Sequence, residues 1–144
     1  MKIGFDIDGV IVPLSEIEIR VVHEFPNLER IYYDTRKIQL IPQDYLCNDD
    51  EAYIITGRRA ALIPQTKAWH EKYFPNIPLI ILSVEPYTSD EGIDDWMQRS
   101  AVEKSKKINE LGLDIYFEDM PMTVRALRKL CPNTKIIQYG GRID

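Results

Sequence analysis

The sequence predicts an α/β fold with a doubly wound, mostly parallel sheet of five strands. Short apolar runs alternate along the chain with segments that carry helix signals, which is the order of a β-α-β architecture. The runs are continuously apolar, as expected of strands that are covered by helices on both faces. A length of 144 residues, without an internal repeat or a linker, predicts one domain over residues 1–144.

Five apolar runs predict the strands. The stretch IYYDTRKIQLI (31–41) adds two short strands around a turn, and so predicts a β-hairpin inserted between the first and second strands. The five runs are KIGFD (2–6), AYIIT (52–56), PLIILS (78–83), DIYFE (114–118) and KIIQY (135–139).

Prolines and capping patterns predict the helices. Pro64 and Pro121 stand where first-turn prolines belong, before QTKAWHEKYF and MTVRALRKL. A capping box that begins at Ser15 predicts a helix ended by Pro26.

A second capping box, Ser100 to Glu103, predicts a helix that ends at Gly112. The acidic segment 85–98 lacks a scorable periodicity and predicts a loop.

Composition narrows the function classes. The net charge of −5 argues against a broad nucleic-acid surface, although phosphorylated polynucleotide ends stay open as substrates. No apolar run approaches the roughly 20 residues of a membrane helix, so no membrane partner is expected. The start MKIGFDIDG lacks a signal-peptide pattern, which makes a cytoplasmic location the expectation. Cys47 and Cys131 have no metal-site spacing and are expected to be free thiols.

Two acids follow the first predicted strand in GFDIDGVIV, where Asp6 and Asp8 are separated by one residue. At about 4 Å and an effective dielectric near 20, two carboxylates repel by roughly 4 kcal/mol, so a positive group is expected beside them. Residues at the carboxyl ends of parallel strands converge on one crevice. Thr56, Gly57, Arg58, Glu118 and Asp119 follow other strands and belong to the same edge.

This set of residues suits phosphoryl transfer. Mg²⁺ prefers oxygen ligands, takes one or two protein carboxylates and leaves positions for a substrate phosphate. The Thr56 hydroxyl, the N–H groups of Gly57 and Arg58 and a lysine ammonium can hold phosphoryl oxygens. The sequence therefore predicts Mg²⁺ as cofactor and a small phosphorylated molecule as substrate.

The order FDIDGV, ITGR, KSKKINELG and ED resembles the haloacid dehalogenase (HAD) superfamily of aspartyl-phosphate phosphatases over nearly the whole chain. The resemblance implies a Rossmann-like core in which Asp6 is the nucleophile and a metal ligand. It implies that Asp8 is the general acid and base, and that it also binds the metal through its backbone carbonyl. Thr56 and Gly57 would bind phosphate.

The resemblance also assigns the lysine and the acids of the fourth strand. Lys104 best matches the family's phosphate-binding lysine, with Lys106 and Lys107 as alternatives. Asp119 would complete the metal site. For Glu118 three roles stay open: it binds the metal beside Asp119, it contacts the metal ligands without binding the metal, or it caps the helix that Pro121 starts.

The sequence departs from the common pattern of the HAD superfamily at two points, and these indicate which of its branches the chain resembles. Thr123 stands four residues after Asp119, where many relatives have another acid. The inserts at 14–50 and 85–98 are shorter than a lid domain of about 50 residues or more, so no separate cap domain is expected. The chain thus resembles capless or small-insert members, including the deoxyribonucleotidase-like branch, which favours a nucleotide substrate.

Substrate recognition is expected from the hairpin 31–41, from loop 85–98 or from a neighbouring subunit of a homo-oligomer. In the hairpin, Tyr32, Tyr33 and Arg36 offer flat and cationic surfaces for an aromatic, anionic substrate, and they are equally suited to cover a sheet edge.

Two other functions fit part of the pattern. A receiver-like phosphoacceptor signalling module also uses paired acids, Mg²⁺, a threonine and a lysine, but its acceptor Asp lies on a middle strand, and the third run here ends LSVEPY. A catalytically degenerate interaction protein would keep the site without turnover.

Overall fold

The computed structural model describes residues 1–13, 37–58, 60–82 and 92–140. These residues form five strands, three α-helices and two short 3-10 helices, at Pro42–Tyr45 and Ala60–Leu62. None of the helices in this part of the chain combines the length and the apolar character needed to cross a membrane. The strands are β1 (Lys2–Phe5), β2 (Glu51–Thr56), β3 (Leu79–Ile81), β4 (Ile115–Glu118) and β5 (Lys135–Gln138); the helices are α1 (Ile63–Tyr73), α2 (Ile93–Leu111) and α3 (Pro121–Leu130).

The five strands form one sheet in the order β3-β2-β1-β4-β5, and every pair is parallel. The predicted α/β fold class is confirmed. Phe5 of β1 is in register with Ile54 of β2 on one side and with Phe117 of β4 on the other. β1 is therefore the central strand, and the chain reverses its direction of winding at this strand, which is where open parallel sheets form their ligand crevice.

Two hydrophobic cores cover the two faces of the sheet. Because successive strand residues point to opposite faces, Ile54 and Ile55 belong to different cores. The first core contains Phe5 and Ile54 with Trp69 of α1. The second contains Ile55 with Ile108 of α2 and residues of α3. Asp6, the residue after Phe5, accordingly lies on the side of the sheet that α2 covers.

The predicted helix signals are confirmed at three points. Pro64 and Pro121 lie in the first turns of α1 and α3. Gly112 ends α2 with a left-handed φ of 64°, a conformation that glycine adopts without a steric penalty. Cys47 and Cys131 are free thiols, as expected.

The predicted start of α2 is wrong. The helix begins at Ile93, so Ser100 lies inside it and residues 93–98 are helical, although the sequence predicts a loop there. The reason is that none of the side chains of residues 95–98 is buried, so this first part of α2 has no run of buried apolar positions. Such a run is the signal by which a helix is recognised in sequence.

Several predictions concern residues outside the described ranges. The helix over 15–26, Tyr32, Tyr33, Arg36 and the loop residues 85–91 lie there. Residues 37–41, the second half of the predicted hairpin, are not in a strand.

Candidate functional site

Acidic side chains from two neighbouring strands meet at the carboxyl edge of the sheet. Asp6 follows β1, Glu118 ends β4 and Asp119 follows it, and all three are buried. One oxygen of each lies within 4.8 Å of the other two, and we call these three residues the carboxylate trio. The N–H of Asp6 donates to the carbonyl of Phe117 at 3.1 Å, which extends the pairing of β1 with β4 up to the trio.

Lys104 of α2 reaches into the trio. Its Nζ lies 3.1 Å from Asp6 Oδ2 and 2.6 Å from Glu118 Oε2. Lys106 and Lys107 instead pair with acids of their own helix, one turn away and near the surface. Of the three lysines that the sequence left as alternatives, the structure brings Lys104 to Asp6.

Glu118 is the counter-ion of Lys104. Its second oxygen, Oε1, accepts the backbone N–H groups of Asp119 at 3.2 Å and Met120 at 3.4 Å. Burial acts to raise the pKa of Glu118, but the Lys104 ammonium and the hydrogen bonds from Asp119 and Met120 together outweigh it and hold that pKa below its usual value. Burial likewise acts to lower the pKa of Lys104, and the charges of Asp6 and Glu118 raise it well above its usual value. The two residues therefore form an ionised pair.

Asp119 is in the opposite situation. Its Oδ2 is buried and has no hydrogen-bond partner in the described structure. Burial, together with the charges of Glu118 and Asp6, raises the pKa of Asp119 to about 9. Burial and nearby acids also raise the pKa of Asp6 well above its usual value, despite Lys104. Both groups are therefore short of positive charge.

These observations fit a divalent cation. The trio carries three negative charges when it is fully ionised and is paired with one ammonium, Lys104, which leaves a formal charge of −2. All of the donor atoms are carboxylate oxygens, the ligands that Mg²⁺ prefers. An unpartnered buried oxygen is costly in a folded protein, and a metal ion at Asp119 Oδ2 would remove that cost.

Gly9 allows Asp119 to approach the turn after β1. A Cβ at this position would lie 2.1 Å from Asp119 Cγ and Oδ2, and the φ of Gly9 is +88°. Both conditions require glycine. Gln39 Nε2 donates to the carbonyls of Gly9 and Val10 at 3.1 and 3.0 Å, which fixes this turn from outside.

Asp8 contacts a cation of its own. Arg58 Nε donates to Asp8 Oδ2 at 2.8 Å and Arg58 Nη2 donates to Asp8 Oδ1 at 2.9 Å, so the pair is bidentate. The Arg58 side chain is buried; its Nη1 donates to Thr66 Oγ1 at 3.2 Å, and its guanidinium lies over the ring of Trp69.

Thr56 and Gly57 lie at the end of β2, the strand next to β1. The Thr56 hydroxyl is buried and accepts the N–H of Arg58 at 3.2 Å. A Cβ at Gly57 would lie 3.2 Å from Ser100 Oγ, so this turn passes close to α2. Their predicted role in binding phosphate stays a prediction.

Sequence reasoning missed several supporting residues. Thr66 and Gln39 have no local motif, since their partners lie 8 and about 30 residues away in the chain. The glycine after the two acids, Gly9, is a sequence signal that could have indicated this close approach. Thr123, which stands where many members of the resembled family have another acid, is buried in α3.

We compared the chain with protein-family models, with curated proteins and with solved structures, and none of the three comparisons gives a match.

Proposed function

We propose that this protein is a Mg²⁺-dependent phosphatase that hydrolyses a phosphate monoester through a phosphoaspartate on Asp6. The observation that carries the proposal is the buried Oδ2 atom of Asp119, which has no hydrogen-bond partner in the described structure. It lies beside the carboxylate of Asp6, and Asp6 also contacts the Lys104 ammonium. A nucleophilic acid, a neighbouring cation and an unused metal ligand are the parts that this reaction requires.

Asp6 and Asp119 would hold the metal ion. Glu118 forms the shorter contact with Lys104, 2.6 Å against 3.1 Å for Asp6, and its other oxygen accepts two backbone N–H groups, so it is the member of the trio that stays with Lys104. The carbonyl of Asp8 is a further ligand that the resemblance implies. When bound, Mg²⁺ supplies the positive charge that lets a carboxylate approach an anionic phosphate.

In the first step, a carboxylate oxygen of Asp6 bonds to phosphorus as the bond to the ester oxygen breaks. Asp8 gives its proton to the departing oxygen, which leaves as an alcohol. In the second step, Asp8 takes a proton from water, the water oxygen bonds to phosphorus, and inorganic phosphate leaves Asp6. Thr56 and the N–H of Gly57 hold the phosphoryl oxygens, and Lys104 offsets their charge.

The substrate class that we favour is the nucleotides, because the small inserts and the ITGR element resemble the deoxyribonucleotidase-like branch. The sequence predicts that recognition comes from segment 31–41, which contains Arg36, from segment 85–98 or from a neighbouring subunit.

The test is phosphate release from a panel of esters with Mg²⁺: nucleoside monophosphates, sugar phosphates, a polynucleotide with a terminal phosphate, and p-nitrophenyl phosphate. We expect turnover of at least one ester, with a phosphate adduct on Asp6 detected by mass spectrometry after an acid quench. The absence of both turnover and adduct would contradict the proposal and favour an interaction protein. A long-lived adduct without turnover would favour a receiver-like phosphoacceptor module.

A further inference from the structure

We propose that Arg58 is a positioning residue of this site, which holds the Asp8 carboxylate in the orientation from which Asp8 exchanges protons. The inference deepens the proposed function and rests on it for the role of Asp8. It concerns the side chain of Arg58, which would act through Asp8.

The geometry of the pair fixes the carboxylate. Two parallel hydrogen bonds, Nε to Oδ2 at 2.8 Å and Nη2 to Oδ1 at 2.9 Å, join the guanidinium of Arg58 to both oxygens of Asp8. A single bond would let the carboxylate rotate, whereas two bonds from a planar fork define its plane. A lysine offers a point charge and cannot impose this orientation.

Arg58 is itself held in place by the protein. Its side chain is 3% exposed. Its Nη1 bonds to Thr66 and its guanidinium lies 5.9 Å from the ring centre of Trp69, and both of those residues belong to α1. Its backbone N–H bonds to the Thr56 hydroxyl at the end of β2. The orientation of Asp8 therefore depends on a strand and a helix that are packed into the core.

Asp8 needs such support because it lies in the turn beyond β1, outside the strand, and is less buried than Asp6. Proton transfer requires the two oxygen atoms to approach to about 2.6–3.2 Å, and a misplacement of about 1 Å can cost 10²-fold in rate. A carboxylate has about four lone-pair positions. The fork of Arg58 takes one position on each oxygen, and this fixes the direction of the remaining positions.

The experiment compares Arg58→Met and Arg58→Lys with a matched control, Arg128→Met. Arg128 lies outside the site and donates a hydrogen bond to the Ile136 carbonyl, so the control also removes an arginine with a structural contact. The measured quantity is kcat/KM for an alkyl phosphate and for p-nitrophenyl phosphate. The alkyl leaving group needs a proton from Asp8, and nitrophenolate needs it far less. We expect Arg58→Met to lose about 10- to 10²-fold on the alkyl ester and less than about 3-fold on the aryl ester. Arg58→Lys should behave like Arg58→Met, and Arg128→Met like the wild type.

A double-mutant cycle and a crystal structure separate positioning from general damage. In an Asp8→Asn background, Arg58→Met should cost little more, because the residue through which it acts is already altered. The crystal structure of Arg58→Met should show Asp8 rotated while Asp6 and Lys104 keep their contact. The inference would be overturned if Arg58→Met lost equal activity on both esters, or if Arg58→Lys restored the activity. It would also be overturned if the effects of Arg58→Met and Asp8→Asn were additive, or if Asp8 kept its orientation in Arg58→Met. If the wild type hydrolyses no ester, the proposed function fails, and the orientation of Asp8 in Arg58→Met still decides whether Arg58 positions it.

Discussion

Glu118 and Asp119 are adjacent in sequence and both buried, yet both oxygens of Glu118 have partners while Oδ2 of Asp119 has none. The difference arises because Glu118 ends β4, where it contacts Lys104 of α2. Asp119 lies beyond the end of the strand, beside Gly9. The two acids should therefore respond in opposite ways to removal of their charge.

Asp119→Asn should abolish Mg²⁺ binding and turnover while the free energy of unfolding stays within about 1 kcal/mol of wild type or rises, because it removes an unpaired buried acid. Glu118→Gln should lower the free energy of unfolding by about 3 kcal/mol, since it breaks a buried ion pair. Calorimetric titration with Mg²⁺ and denaturant unfolding check both variants. Tight Mg²⁺ binding by Asp119→Asn would place the metal elsewhere.

Asp6→Asn should reduce turnover to below about 1% of wild type without loss of the fold, because an amide does not attack phosphorus. Asp44→Asn, at an exposed acid in a 3-10 helix, is the matched control and should keep full activity. Phosphate release and thermal unfolding measure the two effects. A phosphate adduct that still forms in Asp6→Asn would identify a different nucleophile.

Asp8→Asn should lower kcat by roughly 10²–10⁴-fold, the usual effect of losing a general acid and base. With p-nitrophenyl phosphate, whose leaving group needs little proton transfer, the phosphoaspartate should accumulate because water is poorly activated, and it should be visible by mass spectrometry after an acid quench. Unchanged kinetics with an alkyl phosphate would show that Asp8 does not transfer the proton.

Gly9→Ala should weaken Mg²⁺ binding and lower the free energy of unfolding by more than about 2 kcal/mol, because its Cβ would overlap Asp119 and its φ is positive. Gly112→Ala separates the two causes, since Gly112 also has a positive φ but nothing lies within 4 Å of its Cβ position. Gly112→Ala should cost about 1 kcal/mol and leave Mg²⁺ binding unchanged. Equal Mg²⁺ affinities in both variants would argue against a metal at Asp119.

Removal of Mg²⁺ by a chelator should stop turnover, and added Mg²⁺ should restore it. Ca²⁺ should restore little activity, because its longer bonds of about 2.3–2.6 Å would misplace the attacking oxygen and the phosphate. Mg²⁺ should also raise the unfolding temperature by binding the folded state. Full activity in excess chelator would contradict the proposed reaction.

The sequence was sufficient to predict the sheet and the approach of Asp6, Asp8, Thr56 and Asp119 to one edge, because apolar runs and strand ends are local signals. The assignment of Lys104 depends on motif order, because a buried lysine is indistinguishable from a surface one in an amphipathic pattern. Its helix is predicted too short because residues 95–98 contain no buried side chain.

The supporting contacts could not be predicted in the same way. The bond of Arg58 to Asp8 and that of Gln39 to the Gly9 turn join residues 50 and 30 positions apart, and neither pair has a spacing rule. They depend on the path of the chain in three dimensions, which periodicity does not describe.

The central place of β1 has a consequence for how this molecule is made. Ile3 pairs with Ala52 on one side and with Ile115 on the other, so β1 finds its second neighbour only after β2, β3 and α2 have been synthesised. Until then Asp6 lacks the ammonium of Lys104. Nascent chains should therefore expose one side of an apolar strand that is followed by Asp6 without its cation, and such long-range parallel pairing forms slowly. Among the described strand pairs, the pair that builds the proposed site joins the residues that are farthest apart in the chain.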